Sequence, residues 1–521
     1  MRMRCAPVAA VLAVLTVTAC GSTVQVSGTR QVAGVPAGTT APSGVTTSTP
    51  DGTGAPVTSG GAGLPDGSSG AVRPGSTGGA TTGGAPNGGD GSVPQPGHTA
   101  GPTAVPVVTG PRITKPITLG FSTIDYGGVA KQFGVNLSSD FYAGFRNMFA
   151  YLNAHGGLAG RQVKGIYHLA DGAAPNYASE SQRTCSAFTE DAKADVVFTY
   201  IYAQPALAAC LQKKGVAQID NQQYALTEGE LATLPGYLNP VGITLERHAK
   251  AVLGGLASDG VLTSRTVVGV MTFDCANNRN TNEKVVPALA KQYGFRVVGQ
   301  QFSCYNGFGD LGRLTSEVQS AVLRFRQNGV THVIALTAGE GYVIGQFAKS
   351  ADSQKYYPGY LLSSNAFPTS NADGDQYGAA MLAKTTGYGW SPYVDLGKRA
   401  AFGAAATARQ QLCRTMDPTL GNRASGDPAL QNNLTHFFYA ECDQLLLLKQ
   451  ILEANGGDSS LAAVRAGYER LASGVPSASL YGGRFQTGPR QHDGPALMQR
   501  FSWSTGCSCF TTVGAPRALP S

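Results

Sequence analysis

Apolar residues recur at steps of three and four along residues 141–152, which predicts a helix with one apolar face that docks on a sheet. The residues of that face are Phe141, Phe145, Met148, Phe149 and Leu152. Gly156 and Gly157 follow, and glycine readily adopts the left-handed conformation that ends a helix. Apolar runs at 117–121 and 163–168 predict flanking strands. The folded part therefore opens as a strand–helix–strand unit whose first loop can face a ligand.

The alternation of strands and helices continues to residue 364 and divides into two sets. The first set has further strands at 195–199 and 216–220, with helices at 177–189 and 205–214. The second set has strands at 265–272, 295–300, 330–337 and 360–364, with helices at 245–257, 282–293, 314–327 and 340–349. Because the second set repeats the rhythm of the first, the pattern predicts two similar α/β lobes rather than one large sheet.

The first long helix ends in LNAHGGLAGRQV, which carries an Asn-x-x-Gly-Gly-x-x-Gly pattern at Asn153, Gly156, Gly157 and Gly160. A helix with this ending, behind a strand and a loop, resembles the start of type I periplasmic substrate-binding proteins. The resemblance is greatest to the Leu/Ile/Val-binding group that serves ABC importers, and it extends over residues 117–513. It implies an α/β fold of two doubly wound Rossmann-like lobes joined by a multi-strand hinge, the type I periplasmic-binding-protein fold.

In that family the chain returns to the first lobe after the second set and crosses once more near its end. The resemblance places the return at 367–377 and the last crossing at 482–493, with a terminal strand of the second lobe at 496–504. The implied segments are an N-terminal lobe of 113–241 and 370–483, a C-terminal lobe of 242–369 and 484–513, and a tail of 514–521.

Residues 1–20 have the composition of a targeting segment. Arg2 and Arg4 precede an apolar stretch at 6–19, which ends at Cys20 in the sequence VTACGS. This resembles a bacterial lipobox, in which the cysteine is lipidated; an ordinary signal peptide with an incidental Cys20 is the alternative. The stretch is too short for a transmembrane anchor, which needs about 20 apolar residues. We expect an extracytoplasmic protein held to the cell membrane by lipid.

Residues 21–112 are rich in Gly, Ser, Thr, Pro and Ala without a regular period. Such a segment cannot bury enough apolar surface to offset the entropy of ordering, so it is predicted to be disordered. The composition suits a tether that carries the folded part away from the membrane, and it equally suits a neutral spacer.

Eight cysteines remain after Cys5 and Cys20, and export places them in an oxidising compartment. They fall as sequence neighbours, so local pairing is the simplest hypothesis among 105 possible connectivities. The neighbours are Cys185 with Cys210, Cys275 with Cys304, Cys413 with Cys442, and Cys507 with Cys509. The resemblance implies the Cys185–Cys210 bond, which the Leu/Ile/Val-binding group has. For Cys507 and Cys509 we favour a tight loop disulfide or a crossed pairing over a redox or metal pair.

Several classes of function find no support. Charged residues are only 14% of the chain and the net charge of +7 is spread without a Lys/Arg run, so a nucleic-acid partner is not expected. The sequence contains no GxSxG, HExxH or Walker A motif, and His332 lies in a predicted buried strand. We therefore predict no catalytic residues, no cofactor and no metal.

Ligands of open α/β sheets bind beyond the carboxyl ends of the strands, so the loops after the strands hold the candidate ligand residues. In the first lobe these are Tyr126, Phe133, Tyr200, Tyr202, Gln204, Asn221 and Gln222. In the second lobe they are Asp274, Asn277, Asn278, Thr337, Glu340, Ser364 and Asn365. Aromatic and amide side chains are typical of a site for a small polar molecule. The alternative for some of the Asn residues is a role in turns alone.

Three features differ from family members that bind amino acids. Those members take the ligand carboxylate with small Ser, Ala and Thr residues, where this chain has YIYAQP and DNQQY. They also have a Tyr-Gly-x-Gly segment and an acidic residue, where this chain has CANNRN and Asn365. An ammonium group would lack a carboxylate partner unless Glu340 or Asp274 supplies one. An amide, a sugar-like molecule and a catabolic acid are equally open as ligands.

The favoured hypothesis is a monomeric, lipid-anchored receptor that closes on a small molecule and delivers it to an ABC permease. An envelope sensor of the same fold that binds a protein partner is the alternative, and it predicts an exposed apolar patch. An extracellular enzyme would instead need titratable groups that converge in the cleft.

Overall fold

A computed structural model describes residues 113–125, 142–172, 174, 176–200, 204–223, 226–373, 376–401, 407–419, 428–471, 474–488 and 492–521. The predicted signal segment, lipobox and tether lie outside these residues.

The first lobe is built on a parallel sheet of five strands in the order β2-β1-β3-β4-β5. The strands are β1 (Ile117–Ile124), β2 (Val163–Ala170), β3 (Val196–Tyr200), β4 (Ala217–Asp220) and β5 (Tyr237–Leu238). Strands β3 and β4 are buried along their whole length. The continuous apolar content of β3 predicts this for a strand covered on both faces, whereas β4 (AQID) is buried although it carries Gln218 and Asp220.

The second lobe is built on a sheet of seven strands in the order β14-β13-β10-β9-β8-β6-β7. The strands are β6 (Val267–Phe273), β7 (Arg296–Phe302), β8 (His332–Ala335), β9 (Gly359–Leu362), β10 (Thr385–Gly389), β13 (Leu497–Ser504) and β14 (Cys509–Ala518). Strands β6 to β10 are parallel, whereas β13 and β14 form an antiparallel hairpin on the edge of β10. A separate ribbon pairs β11 (Val475–Pro476) with β12 (Arg484–Phe485).

Strand β10 lies in the second sheet, although we expected the chain to return to the first lobe at 367–377. Its sequence, TTGYG, lacks the apolar run that marks the other strands, and both glycines are required by close approach. A Cβ at Gly387 would lie 2.0 Å from the Leu362 carbonyl oxygen, and one at Gly389 would lie 1.9 Å from Asp395 Oδ2. Residues 514–518, which we expected in a C-terminal tail, belong to β14, because this strand extends to Ala518.

Helices cover the sheets. In chain order they are α1 (Ala143–Ala154), α2 (Tyr177–Ser186), α3 (Pro205–Lys213), α4 (Glu228–Leu231), α5 (Leu245–Ala249), α6 (Gly255–Ser258), α7 (Val286–Tyr293), α8 (Leu311–Gln327), α9 (Glu340–Ser353), α10 (Pro368–Asp373), α11 (Ala379–Leu382), α12 (Pro392–Ala401), α13 (Ala408–Met416), α14 (Pro428–Ala454) and α15 (Leu461–Arg470). Short π-helical segments continue α2 (Ala187–Asp191) and α5 (Lys250–Gly254), and another (Thr281–Val285) leads into α7; 3₁₀ turns lie at Ala276–Asn278, Phe308–Asp310, Ser364–Ala366 and Tyr481–Gly483. Within the part of the chain that the structure describes, none of the helices is long and apolar enough to cross a membrane.

The Asn-Gly-Gly-Gly pattern joins the end of α1 to β2. Asn153 Oδ1 accepts a hydrogen bond from the Val163 amide at 2.7 Å, and its Nδ2 donates to the Val163 carbonyl at 3.0 Å. Gly157 has a φ of +72°, and a Cβ there would lie 2.0 Å from the Arg161 carbonyl oxygen. The side chain of Arg161 is buried and donates to the carbonyl oxygens of Lys115 and Gly457. The pattern thus fixes a tight connection within the first lobe.

The four neighbouring cysteine pairs all form disulfides, which confirms local pairing. Cys507 and Cys509 bond to each other at the turn of the β13–β14 hairpin.

Alanine at Gly157 should destabilise the fold more than alanine at Gly156. Both glycines have positive φ, but a Cβ at Gly156 meets no atom within 4 Å. Strain of the backbone alone should lower the free energy of unfolding by about 1 kcal/mol for Gly156→Ala, whereas strain plus the clash should lower it by roughly 3 kcal/mol for Gly157→Ala. Urea unfolding followed by circular dichroism measures both values. Equal losses would contradict the role of the close contact.

Candidate functional site

Three segments cross between the two sheets and lie side by side. The first joins β5 to α5, the second joins β10 to α13, and the third joins β12 to β13. The Asn239 amide donates to the His492 carbonyl at 2.7 Å, and the Gly494 amide donates back to the Asn239 carbonyl at 3.0 Å. The Tyr481 amide donates to the Trp390 carbonyl at 3.1 Å. Backbone hydrogen bonds therefore join the first crossing to the third, and they join the start of the second to Tyr481, which shortly precedes β12; we call this region the hinge.

A buried ion pair reinforces the hinge. Arg247, on α5, lies with its Nη1 2.5 Å from Asp493 Oδ2, and its Nη2 donates to the Pro495 carbonyl at 3.1 Å. Asp493 also accepts from the Thr244 amide at 3.3 Å. Removal of either charge would leave the other buried without its partner, which is strongly destabilising in general.

The carboxyl edge of the first sheet is organised by Asp220, the last residue of β4. Its carboxylate accepts hydrogen bonds from Thr199 Oγ1 at 2.8 Å, Tyr237 Oη at 2.7 Å and Asn239 Nδ2 at 3.3 Å. Burial raises the pKa of Asp220 to about 7, because the surrounding donors are neutral and only partly offset the loss of water. Asp220 thus connects the ends of β3, β4 and β5 with the hinge. It is not among the ligand residues predicted from the sequence. The sequence feature that could have indicated it is an acidic residue at the end of a predicted strand.

The corresponding edge of the second sheet is organised by Glu340, the first residue of α9. Its carboxyl oxygens accept from the Ser363 amide at 2.9 Å and from Ser363 Oγ at 2.5 Å. His248 Nε2 lies 3.3 Å from Glu340 Oε2. Burial raises the pKa of Glu340 to about 8 and lowers the pKa of His248 to about 3. At neutral pH the two groups therefore form an uncharged acid beside an uncharged imidazole.

Two other predicted ligand residues belong to the same cluster. Asn365 Nδ2 donates to the Thr337 carbonyl at 2.7 Å, so the loops after β8 and β9 are tied together. Ser364 Oγ donates to Asp395 Oδ1 at 2.8 Å. Burial raises the pKa of Asp395 well above its ordinary value. The second lobe thus has a buried polar cluster directly behind its strand ends.

The other predicted residues differ in their exposure. Tyr200, Asn221 and Asn278 are buried, and Gln204 and Gln222 are half-buried. Asp274 and Asn277 are exposed. Tyr126, Phe133 and Tyr202 lie outside the described residues. All fourteen residues therefore remain predictions as ligand contacts.

Several buried polar atoms at the strand ends have no hydrogen-bond partner, as far as the described residues extend. They are Ser122 Oγ and Thr123 Oγ1 of β1, both amide atoms of Asn221, Gln223 Oε1 after β4, and Thr337 Oγ1 after β8. Nearly all buried polar groups in folded proteins find a partner. Five of these six atoms belong to the strand ends of the first sheet, and one, Thr337 Oγ1, belongs to those of the second. Across the same part of the chain, no group of three His, Cys, Asp or Glu side chains is placed to hold a metal ion.

The two lobes contact each other at opposite edges of the first sheet. The Tyr177 amide, in the helix that follows edge strand β2, donates to the Asn306 carbonyl at 2.9 Å. Asn277 Nδ2 donates at 2.7 Å to Glu230 Oε1, in the helix that precedes the opposite edge strand β5. The strand ends therefore lie between two cross-lobe contacts.

Comparison with solved structures gives neighbours of the same architecture. A solute-binding protein of an ABC transporter from R. palustris, solved with 4-hydroxybenzoate, has a TM-score of 0.55 at 12% identity over 78% of this chain and 98% of that chain. A branched-chain amino acid ABC transporter protein from Thermus thermophilus with bound valine has a TM-score of 0.55 at 13% identity over 78% and 97%.

A third neighbour, an ABC transporter substrate-binding protein from Desulfitobacterium hafniense in complex with Leu, has a TM-score of 0.51 at 15% identity over 77% of this chain and 100% of that chain. The chain has the type I periplasmic-binding-protein fold. These neighbours are solute receptors rather than enzymes, and at such identities the likeness establishes the fold alone. No family model and no curated protein match the sequence.

Glu340 should make the fold less stable as pH rises. Its folded pKa of about 8 lies above its ordinary value of 4.5, so between these values the folded chain keeps a proton that the unfolded chain releases. The free energy of unfolding should therefore fall from pH 5 to pH 8. Glu340→Gln should flatten this fall by at most about 1.4 kcal/mol per pH unit, because glutamine cannot ionise. Chemical denaturation at several pH values measures the slope.

Glu283→Gln serves as the matched control, since Glu283 is exposed in the same lobe. The interpretation fails if both glutamine variants keep the wild-type slope.

Proposed function

We propose that this protein is an extracytoplasmic solute-binding protein that captures a small polar molecule by hinge closure and delivers it to an ABC permease. The observation that carries the proposal is the set of unpartnered buried polar atoms at the carboxyl ends of both sheets. A molecule that bridges the two edges satisfies these atoms and favours the closed arrangement of the lobes. The fold of the neighbours, which are ABC transporter receptors with small ligands, agrees with this function.

The proposed ligand contacts fall into two groups. The residues that face the ligand are Tyr200, Gln204, Asn221 and Gln222 of the first lobe, Asp274, Asn277, Asn278 and Thr337 of the second lobe, and Tyr126, Phe133 and Tyr202 in the sequence after β1 and β3. Asn277 offers the ligand its Oδ1, because its Nδ2 donates to Glu230. Glu340, Ser364 and Asn365 support the second-lobe loops from within, since their side chains already have partners there. In this division, residues at the strand ends contact the ligand, and the buried cluster behind them holds the second-lobe loops in place.

The proposal includes the place of the protein in the cell. Lipidation at Cys20 anchors the chain to the outer face of the membrane, and residues 21–112 tether the binding lobes to that anchor. A diacylated or triacylated cysteine holds firmly, whereas a single acyl chain holds only reversibly. The receptor acts as a monomer and hands its ligand to the permease in the same membrane.

The sensor alternative depends on an exposed apolar patch. In the described part of the chain, the exposed large apolar side chains are Ile113, Leu169, Leu323 and Val513. Leu169, Leu323 and Val513 lie on β2, α8 and β14, which belong to different parts of the two lobes. This distribution favours the solute receptor over a receptor for a protein partner.

The full chain should bind at least one small molecule from a panel of leucine, valine, 4-hydroxybenzoate, acetamide, glucose and myo-inositol. At a ligand concentration of 100 times the dissociation constant, binding should raise the free energy of unfolding by about 2.7 kcal/mol. The same ligand should reduce the radius of gyration in small-angle X-ray scattering, because closure brings the lobes together. Native mass spectrometry of the purified chain extends the panel to any molecule that co-purifies.

Asn221→Ala and Thr337→Ala should each weaken that binding at least tenfold. Asn328→Ala is the control, because Asn328 is an exposed amide at the end of α8, before β8 begins and thus away from the carboxyl ends. Absence of stabilisation and compaction across both the panel and the co-purified molecules would overturn the proposed function.

A further inference from the structure

The Cys275–Cys304 disulfide joins the loops that follow β6 and β7, two neighbouring strands of the second sheet. Both loops start at the carboxyl edge, which faces the first lobe. The disulfide spans 29 residues in sequence. It links two loops just beyond the ends of the paired strands β6 and β7.

The residues that contact the first lobe lie immediately beside these two cysteines. Asn277, two residues after Cys275, donates to Glu230 at 2.7 Å. Asn306, two residues after Cys304, accepts from the Tyr177 amide at 2.9 Å. We call this pair of contacts, together with the Tyr177–Tyr305 ring contact, the cross-lobe latch.

Tyr305 connects the latch with the interior of the second lobe. Its ring lies 6.1 Å from the ring of Tyr177, and on the other side it stacks at 6.2 Å on Phe273, the last residue of β6. Burial raises the pKa of both tyrosines, so their hydroxyl groups stay protonated and can hydrogen-bond to each other. The Arg313 side chain donates to the Cys304 carbonyl at 3.2 Å, which fixes the loop further.

We propose that the Cys275–Cys304 disulfide is a positioning crosslink: it holds the second-lobe half of the cross-lobe latch in register with the first lobe and so favours the closed arrangement. The importance of closure for ligand capture rests on the proposed function, whereas the latch itself is tested without ligand. Neither cysteine contacts the first lobe in the hydrogen bonds and ring contacts above, so the disulfide acts through Asn277, Tyr305 and Asn306.

The Tyr177 amide provides a direct readout. Tyr177 is the first residue of α2, and the first amides of a helix have no acceptor within the helix. Its hydrogen bond runs to Asn306 in the other lobe, so its protection from hydrogen exchange reports the latch. In the full chain, the Tyr177 amide should exchange at least tenfold faster in Cys275→Ser/Cys304→Ser than in the wild type.

The matched control is Cys413→Ser/Cys442→Ser. The Cys413–Cys442 disulfide has the same sequence separation of 29 residues, so its loss relaxes the unfolded chain to the same extent. It joins α13 and α14 in the first lobe, away from the latch. The control should leave exchange of the Tyr177 amide within twofold of the wild type.

Two outcomes would overturn the proposal: equal acceleration in both double variants, or a Tyr177 amide that is unprotected in the wild type. If the serine pair fails to fold, Cys275→Val/Cys304→Ala keeps an apolar side chain where Cys275 packs against the core of the second lobe, and the same expectation applies. If the serine pair speeds exchange of the Tyr177 amide but the chain binds no ligand, this inference is retained and the proposed function is rejected. If ligand compacts the chain but exchange of the Tyr177 amide is unchanged in the serine pair, the proposed function is retained and this inference is rejected.

Discussion

Three crossings of the chain pass through one buried hinge, and the polar backbone groups there must find partners inside the protein. The chain meets this constraint by pairing the crossings with one another, most directly through Asn239 and its neighbours His492 and Gly494. A side chain at Gly494 would lie 2.0 Å from the Pro240 carbonyl oxygen, so the close pairing needs glycine at that position. Arg247 and Asp493 then add a buried ion pair between the first and third crossings. These contacts fix the first and third crossings against each other at the boundary between the two lobes.

A second constraint follows at the strand ends, where Asp220 and Glu340 are buried and, among the described residues, form no ion pair with Lys or Arg. Burial raises the pKa of Asp220 to about 7 and that of Glu340 to about 8. Each is surrounded by hydroxyl, amide and backbone donors, so both lobes present edges that are polar but carry little fixed charge. Under the proposed function, such an edge would orient a ligand mainly by hydrogen bonds. It also makes the stability of the fold sensitive to pH, because these groups take up protons on folding.

The sequence was sufficient to predict the α/β class, two lobes with parallel strands and the sequential disulfides, because each has a local signal. Apolar runs with glycine ends mark β1, α1 and β2, and the spacing of neighbouring cysteines marks their pairing. Strand β10 was not predicted because its TTGYG sequence fits the sheet through close approach of the backbone to Leu362, 25 residues earlier, and to the side chain of Asp395.

The candidate site was predictable only in outline. The loops were identified from the position of the strands, but the partners of their side chains were not. Glu340 was selected as a ligand residue, whereas its carboxyl group bonds to Ser363 and lies beside His248, which comes from a helix after the hinge. Asp220 was missed because its role arises from Tyr237 and Asn239, which lie on the neighbouring strand and at the start of the hinge. Long-range partners of this kind leave no periodic pattern in the sequence.

Under the proposed function, the energies of these contacts are of the size that a ligand needs in order to control closure. A hydrogen bond contributes about 0.5–1.5 kcal/mol net, and an aromatic pair contributes a similar amount, so the cross-lobe latch is worth on the order of 2–4 kcal/mol. Converting a mostly open population into a mostly closed one requires about 5.5 kcal/mol. Each buried polar group that gains a partner recovers about 1–3 kcal/mol. Asn221 and Thr337 lie on opposite lobes, so a molecule that pairs with both supplies the difference only when the lobes are closed.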